Sequence, residues 1–369
     1  MSLSRNLVLS FLPLLLTASA VFGQAGNAVP VSPHASPEAK ALLQLIYNLS
    51  GKYTLTGQHN YPRAVDTFSV AAARYIGRTP VIWSIDMGFA KSADKDSYLM
   101  RPVNVQEAIR QYKKGAIVTI CWHAVPPTAD EPVTFQPRPG AGPAQLKSVQ
   151  GRLTDEQFRD VLTPGTPLNK HWAQQVDSVA YYLKQLQKAH VPVLLRMYHE
   201  MNGSWFWWGN YTGRYSTAAL YRQIFNRLVN YHKLKNLVWV WSVDRPTRPG
   251  MEFTNFYPGD DYVDILALDV YGSDFKQDYY DQLLALAKEK PITLAEVGNP
   301  PTPEILAAQP KWSYWVVWAG MANNTSKASW DALVNDPHVL WQESPAYIEA
   351  MNPFRKALKL PLLPVDGTK

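Results

Sequence analysis

The sequence predicts a single-domain α/β fold, a (β/α)₈ barrel. Short apolar runs alternate with amphipathic helical stretches from residue 38 onward, the pattern of a parallel sheet covered by helices on both faces. The alternation repeats eight times, which fits a closed barrel better than an open doubly wound sheet. No Gly-x-Gly-x-x-Gly or Gly-x-x-x-x-Gly-Lys segment follows any strand, so the phosphate cradle of a nucleotide-binding sheet is missing.

The elements follow in order. A helix over Glu38–Leu49 leads to a strand at Tyr53–Thr56 that runs out into Gly57-Gln-His-Asn60. A helix near Thr67–Ile76 precedes the second strand, Pro80–Asp86, and a helix over Val105–Lys114 precedes the third, Ala116–Trp122. Residues 124–165 form a long loop rich in Pro and Gly, with one short helix opening at Thr154 as its N-cap. Then come helix Leu168–Ala189, strand Pro192–Tyr198, helix Ser216–His232 and strand Leu237–Val243. Strand Val263–Val270, helix Tyr279–Lys288, strand Pro291–Ala295, helix Pro303–Ala308 and strand Trp312–Trp318 complete the barrel, with a last helical segment at Ala328–Val334.

Composition narrows the function classes. Of 369 residues, 46% are hydrophobic and 18% charged, so the chain can bury a large core and is not a disordered one. Thirteen Trp, 20 Tyr and 12 Phe supply flat rings suited to hydroxyl-rich partners. The net charge of +6 is spread in mixed-sign runs without a basic tract, which argues against a nucleic-acid partner. The single cysteine, Cys121, excludes an intramolecular disulfide and reads as a small buried hydrophobe. Arg5, the apolar run Leu7–Phe22 and the small residues that end it have the order of a secretory signal peptide, too short and poorly flanked for a membrane span. The expected organisation is a signal peptide over 1–23, a flexible tether over 24–37, the barrel over 38–362 and a tail over 363–369. The expected mature protein is a monomer, secreted or periplasmic, with no membrane span.

Barrel enzymes place their chemistry at the C-terminal ends of the strands. Those ends carry Gln58-His59, Asp86, Trp122-His123, His199-Glu200, Ser242 and Asp244, Tyr271, Glu296 and Trp318. Glu200 and Glu296 follow the fourth and seventh strands. Two carboxyl groups facing across a barrel mouth suit glycoside hydrolysis, one protonating the departing oxygen and the other attacking the anomeric carbon or activating water. Either Glu alone reads as a helix N-terminal charge. Glu200, however, sits in Arg196-Met-Tyr-His-Glu-Met-Asn-Gly-Ser-Trp-Phe-Trp-Trp-Gly209, too aromatic for a solvated loop. Rings beside a carboxyl group stack on sugar faces and raise its pKa, although core packing accounts for at least one of them. Arg196 shares a strand face with Glu200 and needs a carboxylate partner, Glu296 or Asp86; a purely structural ion pair is the alternative. Asp244 and Asp269 read as structural groups at the barrel end.

The chain resembles glycoside hydrolase family 26, in which β-mannanases predominate. The resemblance rests on the block Tyr198–Gly209, Trp122-His123, Asp269-Val-Tyr-Gly272, Leu294-Ala-Glu-Val-Gly298 and Trp315-Val-Val-Trp318. Related families of its clan carry Asn before the acid/base Glu; His199 stands there instead, as in family 26. The resemblance implies a retaining mechanism on β-1,4-mannan, glucomannan or galactomannan, with Glu200 as acid/base and Glu296 as nucleophile. It further implies that Tyr271 hydrogen-bonds the nucleophile, that His199 and His123 line the site of the cleaved sugar, and that Trp205 and Trp318 wall it. A core histidine is the alternative for His123, and Gln58 and His59 match only as rim contacts.

Neither a metal nor any other cofactor is expected, because His199-Glu-Met-Asn-Gly203 breaks the spacing of a zinc-binding His-Glu-x-x-His helix. Mixed-linkage β-glucan, β-1,3-xylan and exo-acting release of mannobiose remain alternatives within the same chemistry. A non-catalytic glycan-binding barrel is the alternative of another class; it would lose a carboxylate, and both are present.

Overall fold

The structure, a computed structural model, describes residues 28–140, 142 and 145–364; the expected signal peptide lies outside them. Among the described residues, ten parallel strands form one sheet: β1 (Thr54–Leu55), β2 (Gly57–Asn60), β3 (Ile82–Asp86), β4 (Ile117–Trp122), β5 (Val193–Met197), β6 (Leu237–Asp244), β7 (Ile265–Val270), β8 (Ile292–Val297), β9 (Trp312–Val317) and β10 (Val339–Leu340). Strands β2 to β9 pair in chain order, and β9 closes on β2 through Gln58 and Val317. The result is the expected eight-stranded barrel. Every residue of these strands is buried, as a sheet covered on both faces requires.

The first barrel strand differs from the expected one. Residues 54–55 instead bridge β9 and β10 at the N-terminal face, and the barrel strand begins at Gly57. The Thr56 hydroxyl donates to the Leu340 carbonyl at 2.9 Å, holding the chain there. A Cβ at Gly57 would lie 2.6 Å from the Trp315 carbonyl oxygen, so only glycine lets β2 pass close enough to close the barrel. Hydropathy favours Tyr53–Thr56 because β2 itself is polar, Gly57-Gln-His-Asn60.

Helices cover the outside: α1 (Pro37–Leu49), α2 (Thr67–Ile76), α3 (Arg101–Lys114), α4 (Asp155–Leu162), α5 (Pro167–Lys188), α6 (Thr217–Phe225), α7 (Gln277–Ala287), α8 (Pro303–Ala308), α9 (Lys327–Val334) and α10 (Pro345–Ala357). Thr154 caps α4 in a reciprocal capping box with Gln157, as its position predicts. The expected helix 216–232 holds α geometry only to Phe225 and widens into a π-turn over Asn226–Tyr231. Helix α10 was not expected; it buries Tyr347, Met351 and Phe354.

Residues 28–36, expected to be a flexible tether, pack against the N-terminal end of the barrel. The Val31 amide donates to Asp264 at 2.7 Å, Trp239 Nε1 to the Ser32 hydroxyl at 3.1 Å, and the Ser36 amide to the Lys235 carbonyl at 2.7 Å. At the other terminus Leu363 packs on the core and its amide donates to Asn352 at 2.7 Å, while residues 365–369 lie outside the described residues. A cleft opens at the opposite, C-terminal end of the strands.

Candidate active site

The segment after β5 builds one wall of the cleft. Tyr198 and Glu200 both take left-handed backbone conformations, φ 52° and 51°, which cost energy for non-glycine residues and persist only when the surroundings impose them. Those surroundings are indole donors: Trp172 Nε1 donates to the Tyr198 hydroxyl, Trp208 Nε1 to the His199 carbonyl and Trp207 Nε1 to the Ala124 carbonyl, each at 2.8 Å. Trp207 and Trp208 are therefore buried scaffolding, with Phe206 stacked on Trp208. Of Trp205, Trp207 and Trp208, only Trp205 lines the cleft, folded over Gly203, where a Cβ would meet its ring at 2.3 Å. Its Nε1 donates to Glu200 Oε2 at 2.5 Å.

Glu296 reaches the same cleft from β8 through a bulge. Leu294 pairs with Leu268 and Glu296 with Asp269, so Ala295 is an extra residue on β8. A bulge re-aims the side chain that follows it, and here that side chain is Glu296. The Tyr271 hydroxyl donates to Glu296 Oε1 at 2.5 Å, and Arg196 Nη2 donates to Oε2. Burial and the neighbouring Glu296 charge hold the Tyr271 phenol far above its ordinary range, so it stays a donor. Arg196 also pairs with Asp269 at 3.2 Å, and Asp269 accepts from the Ser242 hydroxyl at 2.8 Å. Of the two carboxylates expected for Arg196, Glu296 is a partner; the other partner is Asp269 rather than Asp86.

Replacing Arg196 with Met should destabilise the fold by about 3–5 kcal/mol, because it leaves two buried carboxylates without their cation. Denaturant unfolding reads this directly, and an unchanged midpoint would show that the two acids do not depend on the guanidinium.

Glu200 and Glu296 face one cleft of about 650 Å³, with 8% and 5% of their surface exposed. Burial first, and then the charges of Glu296, Asp269 and Asp244, push the Glu200 carboxyl well above the usual range. His123, His199, Trp205, Tyr271 and Trp318 line the same cleft, so all seven site residues expected from the sequence converge there. His123 and His199 touch through their Nε2 atoms at 3.1 Å, and Asp86 holds His123 Nδ1 at 2.7 Å.

Gln58 and His59 are not rim contacts. Both are buried; Gln58 donates to the Val317 carbonyl at the barrel seam, and His59 stacks under Trp318 with ring centres 4.0 Å apart. Asp244, expected to be structural only, also lines the cleft beside Arg245, while its backbone is bonded on both sides to the buried Asn202 side chain. Cys121 is buried as expected, but its thiol donates to Asp86 Oδ2 at 3.2 Å. Asp86, Cys121 and His123 bring three potential ligand atoms within 4.8 Å of one another, yet Asp86 uses its oxygens to accept from the Cys121 thiol, the His123 ring and amide, and the Gly88 amide.

Sequence reasoning missed several lining residues: Tyr61, Phe89, Lys95, Asp96, Phe135, Gln150, Phe206, Arg245 and Thr247. Tyr61 and Arg245 were within reach of the strand-end rule, and Phe206 lies in the aromatic block. The others sit on loops whose path no periodicity reports. Asp96 among them is held at a pKa of about 6, by burial and then by the charge of Asp86.

A buried carboxyl group whose pKa is raised by burial, opposite a second carboxyl group gripped by two donors, in an aromatic cleft at a barrel mouth, is a constellation for cleaving glycosidic bonds. The model for glycosyl hydrolase family 26 matches residues 31–344. The chain belongs to this family. Among its family 26 relatives of solved structure, GH26A of a Muricauda species is 41% identical, with a TM-score of 0.78 over 85% of this chain and 99% of that one. The Podospora anserina GH26-CBM35 β-(1,4)-mannanase is 28% identical, with a TM-score of 0.72 over 90% of this chain and 70% of that one. Mannan endo-1,4-β-mannosidase of Bacillus subtilis strain 168 is 30% identical, covering 89% of this chain and 90% of its own. The enzyme of the same name from Thermothelomyces thermophilus is 33% identical over 84% of this chain, which spans 59% of that longer relative.

Proposed function

We propose that this family 26 protein is a mannan endo-1,4-β-mannosidase acting with retention, on mannan, glucomannan or galactomannan. The observation that carries the mechanism is the unequal setting of the two acids. Glu200 is buried, and its pKa is raised by that burial, as suits a general acid, while Glu296 accepts from Tyr271 and Arg196. The β-1,4-mannan substrate is supported by the mannan endo-1,4-β-mannosidases that match most of this chain.

In the first half-reaction Glu296 attacks the anomeric carbon as Glu200 gives its proton to the departing glycosidic oxygen. The products are a glycosyl ester on Glu296 and a shortened chain. In the second, Glu200, now a carboxylate, takes a proton from water as the water oxygen displaces the ester, and both side chains return to their starting states. Tyr271 keeps Glu296 aimed throughout, and Trp205, bonded to Glu200, carries the aromatic face on which a sugar ring stacks. His123, His199 and Trp318 complete the sugar site. The N-terminal apolar segment supports export, so the polysaccharide would be met outside the cytoplasm.

Product analysis on linear β-1,4-mannan tests this reading. A spread of short manno-oligosaccharides, whose anomeric proton signals first appear in the β form, is the expected result. A single product, mannobiose, would replace endo by exo action. No release from mannan, together with cleavage of mixed-linkage glucan or β-1,3-xylan, would overturn the substrate and leave the acid pair.

A further inference from the structure

Behind the sugar site runs a buried chain of three side chains from the end of β3, the residue after β4 and the loop after β5. Asp86 Oδ2 accepts from the His123 ring Nδ1 at 2.7 Å and from the His123 amide at 3.0 Å. His123 Nε2 faces His199 Nε2 at 3.1 Å. All three residues are buried, and His199 Nδ1 is a buried nitrogen with no hydrogen-bond partner among the described residues. Asp86 does not line the cleft, whereas both histidines do.

Proton counting fixes what this chain can do. Asp86 claims a proton on His123 Nδ1. Between the two facing Nε2 atoms there is room for one proton, since two would repel and none would leave two lone pairs in contact. If His123 is an imidazolium, that proton is its own, and neutral His199 carries its hydrogen on Nδ1, a donor. If His123 is neutral, the proton must belong to His199, and His199 Nδ1 becomes a bare acceptor. The charge on His123 therefore sets the polarity of His199 Nδ1, which has no partner among the described residues.

We propose that Asp86 is a positioning residue for substrate: it holds His123 as the donor to His199 and so fixes the tautomer and orientation of His199, a ring that lines the cleft. The inference rests on the glycoside-binding reading above. The electrostatics agree with it. Burial lowers the His123 imidazolium, but Asp86, with Glu296 and Asp96 behind it, outweighs burial and leaves it raised. His199 is pushed well below its ordinary value by burial, then by Arg196, His123 and the His59 ring, so it remains neutral beside a charged neighbour. Asp86 itself, despite burial, is lowered by His123 and by the Gly88 amide, and stays a carboxylate. The donor state thus belongs to the lower pH range and is lost as pH rises through the His123 value.

Nitrogen-15 spectra of the histidine rings in the whole, ligand-free protein test the proton arrangement without any substrate. The expected result is His199 protonated on Nδ1 at low pH, moving its proton to Nε2 in the same step in which His123 loses its charge. A proton on His199 Nε2 at every pH, or a His199 transition separate from that of His123, would overturn the relay. Asp86→Asn keeps the shape and one acceptor but removes the charge. It should move the shared step down by about 1–3 pH units and weaken mannobiose binding at neutral pH by roughly 10²-fold, short of the roughly 10⁴-fold seen where amidation of an orienting Asp disables a catalytic base. Unchanged mannobiose affinity across pH in folded Asp86→Asn would overturn the positioning role. If the wild-type protein binds no mannobiose, the substrate reading falls, and the ring spectra of the wild type still decide the relay; they also decide it if the variant does not fold.

Discussion

Glu296→Ala should lower kcat on mannan by about 10⁴–10⁶-fold, the scale of losing a covalent nucleophile, while the protein stays folded. Folding should survive because Arg196 keeps its second buried partner, Asp269, and the Tyr271 hydroxyl faces the open cleft. The lost carboxylate leaves a gap beside the anomeric carbon on the face opposite the leaving group. Azide added to the variant should enter that gap and displace an activated leaving group in one step, giving the α-mannosyl azide from a β-mannoside. Melting temperature and product stereochemistry together check the prediction. Near-normal turnover by the variant would remove Glu296 from the mechanism.

Glu200→Gln should behave differently, because an acid is needed only where the leaving group needs a proton. On mannan the loss should be about 10²–10⁴-fold, the ordinary worth of a positioned general acid. On an aryl mannoside with a strongly acidic phenol, formation of the glycosyl ester should be nearly unaffected, so a burst of phenol should precede slow hydrolysis. Azide rescue of this variant should give the β-azide, since the ester forms first and is then displaced.

The pH dependence follows from the same residue. The Glu200 carboxyl lies well above its usual range through burial and the charge of Glu296, so the protonated acid persists to higher pH. Activity of the wild type on mannan should therefore fall as pH rises through that value. Glu200→Gln should lack this limb on the aryl substrate. If the limb stays in place in the variant, another group produces it.

The two variants separate because the two acids are held by different means. Glu200 is set by a strained loop after β5, with Trp205 donating to one oxygen. Glu296 is set by a bulged strand and by donors from β5 and from the end of β7. Nothing in the residue type distinguishes the two; the burial and partners of each do.

Both acids were nevertheless legible in the sequence, for a simple physical reason. The strands of a parallel barrel are covered on both faces and so are mostly apolar, and the polar residues just past each apolar run mark the C-terminal mouth. That rule finds Glu200, Glu296, His123, His199 and Tyr271. It fails at the first strand, where the polar Gly57-Gln-His-Asn60 is itself the strand and Gln58 and His59 are buried in the seam. It is silent on Lys95, Asp96, Phe135 and Gln150, which reach the cleft from loops.

The sequence by itself determined the barrel, its strand order and the acids at its mouth, because hydrophobic periodicity and strand-end polarity are local properties written residue by residue. Only the tertiary structure decided how those acids are held. The bulge at Ala295 sets Glu296 beside Asp269, Arg196 takes both carboxylates, and Asp86 reaches His199 through His123. Each of these joins residues from different strands or from the loops that follow them. Register and proton position depend on how the closed barrel packs, and no single segment carries that information.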